Sequence, residues 1–178
     1  MAKSSKLSTF APIIVLVAIC LVASFLLAGV YQLTAPVIAE ITEKTNSEAR
    51  LAVLPEGNSF TQITDVDLVN GVNDVYKADN GAGIVCSTSF NGFGGAVKLM
   101  IGVSADGQVT GVQVLEQSET PGVGSNALTT SYLEQFNGQS DAAAVDFYSG
   151  ATFTSKAVRN GVSAALAQYS AVKAAGEI

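Results

Sequence analysis

The sequence opens on a long apolar stretch without charge. No charged residue lies in residues 7–39, and the most apolar section is residues 10–31. A helix of about 22 residues at ~1.5 Å per residue spans the ~30 Å hydrocarbon core of a bilayer, whereas the apolar region of a cleaved signal peptide has only about 7–15 residues. The pattern therefore predicts one retained transmembrane helix, with residues 1–39 as N-terminus and anchor and residues 40–178 as a separate domain.

The sequence beyond the anchor changes from a helical pattern to strand-like runs and back. Residues 40–54 alternate charged and apolar positions before a Pro-Glu-Gly turn, which predicts a helix. Residues 156–174 repeat apolar positions every three or four residues, which predicts a second, amphipathic helix. Four β-branched runs lie between these helices, and Asp106-Gly107 predicts a hairpin between the last two; the runs are VDLV, GIVCSTSF, AVKLMIGVS and VTGVQVLE. Grouped strands with helices at the ends predict an α+β domain with an antiparallel sheet and flanking helices.

Charge is distributed unevenly around the apolar stretch. Lys3 and Lys6 precede it, whereas all 15 acidic residues lie at or after Glu40. The positive-inside rule then predicts a single-pass protein of the cell membrane, with a cytoplasmic N-terminus and an extracytoplasmic domain. Pro36, near the outer end of the stretch, marks a point where the helix can bend or stop. The domain is strongly acidic and has no basic run, so nucleic acid is not expected as a partner.

Two residue types limit the chemistry of the chain. It has no histidine, which removes the usual zinc sites, c-type haem attachment and the Ser-His-Asp triad. We therefore predict no metal site and no catalytic side chain. Cys20 lies inside the apolar stretch and Cys86 far beyond it, which argues against a disulfide or an iron–sulfur cluster.

Residues 122–127, GVGSNA, imitate a dinucleotide-binding fingerprint. They follow a strand-like run, as such a fingerprint requires. Too little sequence remains after them, however, for the repeated β-α-β halves of a Rossmann fold. Nucleotide binding of that type is therefore disfavoured.

A segment rich in hydroxyl groups precedes the last predicted helix. Residues 146–155 read DFYSGATFTS. One interpretation is structural, with Thr154 or Ser155 as the cap of the helix. The other is that the free amides and positive dipole end of the helix bind a phosphate, while the glycine allows close approach. The residues alone leave both interpretations open.

The pattern D-x-x-S-G-A-T, followed by x-T-S, resembles the flavinylation motif of the FMN-binding domain of bacterial respiratory complexes. The resemblance implies that FMN is joined through its phosphate to Thr152, the last residue of the motif. It also implies that Ser149, Gly150, Ala151 and Thr154 bind the cofactor. A flavin transferase would make the bond from FAD. The flavin would then supply the redox chemistry.

A second signature of the same family lies at residues 118–124, SETPGVG, after the strand pair at residues 92–116. The resemblance implies that this loop approaches the flavin ring. Glu119 and Thr120 would offer polar contacts, and Val123, where the family usually has leucine, would offer an apolar one. Asp146 either orients the first motif, serves the transferase or is only a solvated acid.

The two motifs and the anchor together resemble the G subunit of Rnf complexes, which are ferredoxin:NAD oxidoreductases that couple electron flow to Na⁺ or H⁺ transport. The resemblance implies an electron carrier that works beside other membrane and iron–sulfur subunits. The C subunit of Na⁺-translocating NADH:quinone reductase is similar but generally longer. A stand-alone membrane-anchored flavoprotein and a tethered interaction module without cofactor are the remaining alternatives.

Overall fold

The computed structural model describes the backbone of residues 5–178 and the side chains of residues 10–178. Lys3 and the side chain of Lys6, on which the predicted topology depends, lie outside the described residues. The chain divides into two compact units, Met1–Thr45 and Asn46–Ile178. The predicted boundary after residue 39 stays a prediction.

The first helix, α1, spans Ser5–Val53 and includes the whole apolar stretch. It is long and apolar enough to cross a bilayer, and its large apolar side chains between Phe10 and Ile38 are exposed. The helix predicted at residues 40–54 is the continuation of α1 and not a separate element. Ala39 and Glu40 both favour helix, so nothing ends α1 at that point. The helix also continues through Pro36, whose ring costs one backbone hydrogen bond but does not end a helix in apolar surroundings.

The second unit contains a five-stranded antiparallel sheet in which each strand pairs with the next along the chain. Three of the four predicted strand runs are confirmed, as is the hairpin at Asp106-Gly107. Gly107 has a φ of +80°, and the Ser104 amide donates to the Gln108 carbonyl across the turn at 2.8 Å. The strands are β1 Phe60–Gln62, β2 Val72–Ala78, β3 Gly83–Asn91, β4 Ala96–Ser104 and β5 Val109–Glu116.

The strand predicted at residues 66–69 is wrong, because a side chain takes the place of a neighbouring strand. The Val69 amide donates to Oε1 of Gln168 at 2.7 Å, and Nε2 of Gln168 donates to the Asp67 carbonyl at 3.3 Å. Gln168 is fully buried. Its side-chain amide therefore supplies the hydrogen-bond partners of the Val69 amide and the Asp67 carbonyl in a region that water cannot reach.

A short helix, α2 (Thr130–Leu133), and several 3₁₀ turns connect β5 to the last helix, α3 (Thr152–Ala174). The central strands of the sheet, β3 and β4, are mostly buried on both faces. One face packs on α3, where residues such as Val158 and Val162 meet Leu99 and Ile101. The other face packs on the end of α1, where Val53 and Leu54 join a cluster that includes Val85 and Met100. An antiparallel sheet with flanking helical segments confirms the predicted α+β class.

Two paired glycines allow the end of α1 to lie directly on the sheet. Gly102 of β4 and Gly111 of β5 are register partners. A Cβ atom at Gly102 would lie 2.3 Å from the Val53 carbonyl oxygen, and one at Gly111 would lie 2.9 Å from the Val53 Cα atom. Thr110 donates its hydroxyl hydrogen to the same carbonyl. The close approach therefore depends on residues without side chains at both positions.

We expect Gln168→Ala to lower the free energy of unfolding by about 1–3 kcal/mol, because the buried Val69 amide loses its acceptor. Denaturant titration of the full chain in detergent, followed by circular dichroism, measures the change. The matched control is Gln113→Ala, since Gln113 is exposed on β5. Equal stability of the two variants would show that the Gln168 contacts do not hold this loop.

Candidate functional site

Among the described residues, the start of α3 combines backbone amides that donate no hydrogen bond with an exposed threonine, Thr152. The helix begins at Thr152, and its N-cap residue, Ala151, makes no side-chain cap. Thr154 and Ser155 lie inside the first turn, so neither caps the helix. The Ser155 hydroxyl instead donates back to the Ala151 and Thr152 carbonyls at 3.0 and 3.1 Å. Within the described chain, the amides of residues 152–154 donate to no other group, which leaves the positive end of a 23-residue helix open.

Three segments meet around this helix start: the β3–β4 turn, the loop at residues 118–124 and the first turn of α3. They enclose a cleft of about 170 Å³ with mainly apolar walls. Sequence patterns far apart in the chain therefore contribute to one site. The cleft is lined by Phe93, Val123, Gly124, Gly150, Ala151, Thr152, Phe153 and Thr154.

Two exposed phenyl rings flank the cleft. Phe93 is 71% exposed and Phe153 is 69% exposed, and their ring centroids lie 6.2 Å apart at 50°. Neither ring is among the site residues predicted from the sequence. Each phenylalanine lies in a sequence segment of small or polar residues. This pattern could have indicated an exposed aromatic side chain, because such a segment contributes no other residue to the core. Val123, which was expected to offer an apolar contact, also lies on the cleft and is half-exposed.

Glu119 is buried and joins two of the three segments. Its Oε1 accepts from the Phe93 amide at 2.8 Å, and its Oε2 accepts from the Gly94 amide at 3.2 Å. A Cβ atom at Gly92 or at Gly124 would lie 2.0 Å from one of these oxygens. Both carboxylate oxygens thus bind the β3–β4 turn, and Glu119 fixes the positions of the cleft walls. The polar contact of Glu119 with the cofactor stays a prediction.

Thr154 and Thr152 differ in exposure although they are two residues apart. The Thr154 side chain is only 1% exposed and lines the cleft, and its hydroxyl makes no hydrogen bond within the described part of the chain. Thr152 is exposed at the rim. Its hydroxyl is therefore open to an external reagent, whereas that of Thr154 is open only to a group that enters the cleft.

The other predicted site residues surround the cleft at different depths. Gly150, with a φ of +84°, and Ala151, which is buried, line it. Ser149 and Thr120 are exposed and outside its lining. The Thr120 carbonyl accepts a hydrogen bond from the Val123 amide at 3.2 Å, which stabilises the turn of this loop.

The loop before α3 is fixed through the backbone of Asp146, whereas the Asp146 carboxylate is exposed to solvent. The Tyr132 hydroxyl donates to the Asp146 carbonyl at 3.0 Å. Burial raises the pKa of Tyr132, so the phenol keeps the proton that it donates. The Asp146 side chain itself is exposed.

Comparisons with known proteins point to one family. Residues 92–167 match the model of the FMN-binding domain. The G subunit of the proton-translocating ferredoxin:NAD(+) oxidoreductase complex of Clostridium ljungdahlii is 30% identical over 84% of this chain and 85% of its own length. The Na(+)-translocating counterpart of Acetobacterium woodii is 29% identical over 88% and 89%. The G subunit of the ion-translocating oxidoreductase complex of Methanosarcina acetivorans is 31% identical over 89% and 93%.

We expect Glu119→Gln to destabilise the site by about 1–3 kcal/mol, because the amide group of glutamine would face one of two backbone donors with a donor of its own. Hydrogen exchange at the Phe93 and Gly94 amides should accelerate in parallel. Glu116→Gln is the matched control, since Glu116 is exposed and only pairs with Lys98 at 2.5 Å. Unchanged exchange at both amides in Glu119→Gln would contradict the assigned role.

Proposed function

Since the chain belongs to the family of G subunits of ion-translocating ferredoxin:NAD(+) oxidoreductase complexes, we propose that it carries electrons in such a complex through covalently bound FMN. The observation that carries the proposal is the exposed Thr152 hydroxyl at the open start of α3, beside an apolar cleft. Attachment would prevent loss of the cofactor from an external domain. The redox chemistry would rest on the flavin, which accepts and donates one or two electrons.

The start of α3 fits a phosphate ester. An ester on the Thr152 oxygen would bring a negative charge next to the free amides of the first turn and the positive end of the helix dipole. The unpaired Thr154 hydroxyl offers a further donor at the same end of the cleft. No acidic residue lies in the first turn to repel the phosphate.

The cleft fits part of an aromatic ring system. Phe93, Phe153 and Val123 offer apolar contacts, and Glu119 would act on the flavin only by holding the turn that carries Phe93. A volume of about 170 Å³ is below the roughly 300–1,000 Å³ of pockets that enclose a small molecule. A flavin held here would stay partly exposed, which suits exchange of electrons with a partner.

Maturation requires an acceptor that the modifying enzyme can reach. We propose that a flavin transferase joins the Thr152 oxygen to the phosphorus of the FMN half of FAD. The bond to the AMP half breaks, AMP leaves, and the hydroxyl proton is released. Exposure of Thr152, Gly150, Ser149 and Asp146 supports access by such an enzyme.

The proposed complex requires partners and a defined side of the membrane. The chain is anchored by α1, and we propose that residues 40–178 lie outside the cytoplasm, because both basic residues of the N-terminal segment precede the apolar stretch. A domain with one flavin cannot itself connect ferredoxin to NAD. We therefore propose that other membrane and iron–sulfur subunits supply and remove its electrons.

Thr152→Ala should abolish covalent flavin. Denatured wild-type protein from a host with the transferase should fluoresce under ultraviolet light on a gel, and the variant should not. Thr130→Ala is the matched control, since Thr130 is an exposed threonine at the first position of α2. Fluorescence that persists in Thr152→Ala and disappears in Thr154→Ala would move the attachment by two residues.

The proposed topology predicts that a cysteine introduced as Ser163→Cys, at an exposed position of α3, reacts with a membrane-impermeant maleimide on intact cells. Wild type is the control, because Cys86 is fully buried and burial raises the pKa of its thiol. Labelling of Ser163→Cys only after permeabilisation would contradict an extracytoplasmic domain.

A further inference from the structure

Exposed apolar side chains are concentrated on the surface around the start of α3. Eight large hydrophobic side chains in residues 46–178 are exposed, and five of them belong to the three segments of the site or to the loop before α3. The five are Phe93, Val123, Phe147, Tyr148 and Phe153. Three of them line the cleft, whereas Phe147 and Tyr148 do not. These last two occupy the positions that the D-x-x-S-G-A-T motif leaves free, so flavin attachment does not explain them.

Phe147 and Tyr148 are held in place at the surface. The Arg159 guanidinium lies over the Phe147 ring, with its carbon atom 4.4 Å from the ring centroid. The Tyr148 ring meets Tyr132 edge-on, with centroids 5.7 Å apart and planes at 90°. Exposed aromatic rings that are already ordered lose little conformational entropy when a partner covers them. Such rings are typical of the residues that dominate binding energy in protein interfaces.

Two cations accompany these rings. Lys156 and Arg159 follow Thr152 by one and two turns of α3, on the same side of the helix. A cation near a helix start opposes the helix dipole, so local stability does not explain Lys156. Lys156 differs in this respect from the other bases of residues 46–178: Lys77 and Lys98 pair with Glu177 and Glu116, and Arg50, Arg159 and Lys173 lie over aromatic rings.

We propose that Phe147, Tyr148, Lys156 and Arg159, here called the basic aromatic patch, dock an electron-transfer subunit that presents an apolar surface rimmed by carboxylates. The inference rests on the proposed function, because a partner must approach the flavin at Thr152. Charge complementarity favours an acidic partner: residues 146–159 carry the two cations and one carboxylate, that of Asp146, in an otherwise acidic domain. Docking of two copies through this patch would bring four cations together, which disfavours a second copy.

The test uses the full chain in its membrane complex. A photo-crosslinking phenylalanine analogue replaces Phe147, and the control places it at Leu68, an exposed apolar position far along the chain. Crosslinking from position 147, but not from position 68, to a redox subunit of the complex is expected. A crosslink to a second copy, to lipid or to the flavin transferase alone, or no crosslink, would overturn the proposal.

Charge variants provide the second arm. We expect Lys156→Glu to slow ferredoxin-dependent NAD reduction by membranes about two- to fivefold at low salt. The difference should shrink as ionic strength rises from about 0.01 to 0.15 M, where the screening length falls from about 30 to 8 Å. Lys173→Glu, 17 residues later on α3, is the matched control. Equal rates of the two variants would overturn the proposal.

In-gel flavin fluorescence separates this inference from the proposed function. All variants should retain the covalent flavin of wild type. Loss of fluorescence in Lys156→Glu alone would assign the patch to maturation and overturn docking of a redox partner. Absence of covalent flavin in wild type would instead overturn the proposed function.

Discussion

The site depends on a buried carboxylate that binds the backbone of a neighbouring turn. Glu119 accepts the amides of Phe93 and Gly94 at 2.8 and 3.2 Å, and a charge so deeply buried is tolerable only with such partners. The carboxylate needs space that a Cβ atom at Gly92 or Gly124 would occupy. The two glycine-rich segments and the glutamate therefore form one structural unit. That unit carries Phe93 and Val123 to the walls of the cleft.

A second constraint is electrostatic. α3 begins without a side-chain cap and without an acidic residue, so its free amides and dipole favour a negative group at the Thr152 end. A fold that leaves such a helix start open in an acidic chain is suited to an anion that is not part of the polypeptide. A phosphate ester on Thr152 meets this requirement.

The sequence predicts the centre of the sheet well, because β3, β4 and β5 are β-branched runs with glycine-containing turns between them. It does not predict β2, where Asn73 and Asp74 interrupt the apolar pattern, and it wrongly predicts a strand at residues 66–69. The latter depends on Gln168, which is almost 100 residues away, and no local pattern can reveal such a contact. The motif predicts Thr152, but the aromatic walls at Phe93 and Phe153 and the positioning role of Glu119 require the tertiary structure.

Mass spectrometry of the peptide that contains Thr152, from protein made with the flavin transferase, tests the covalent attachment of FMN most directly. This peptide should gain the mass of FMN less one water, and fragmentation should assign the gain to Thr152. A peptide of unmodified mass, or a gain assigned to Ser149, Thr154 or Ser155, would contradict it.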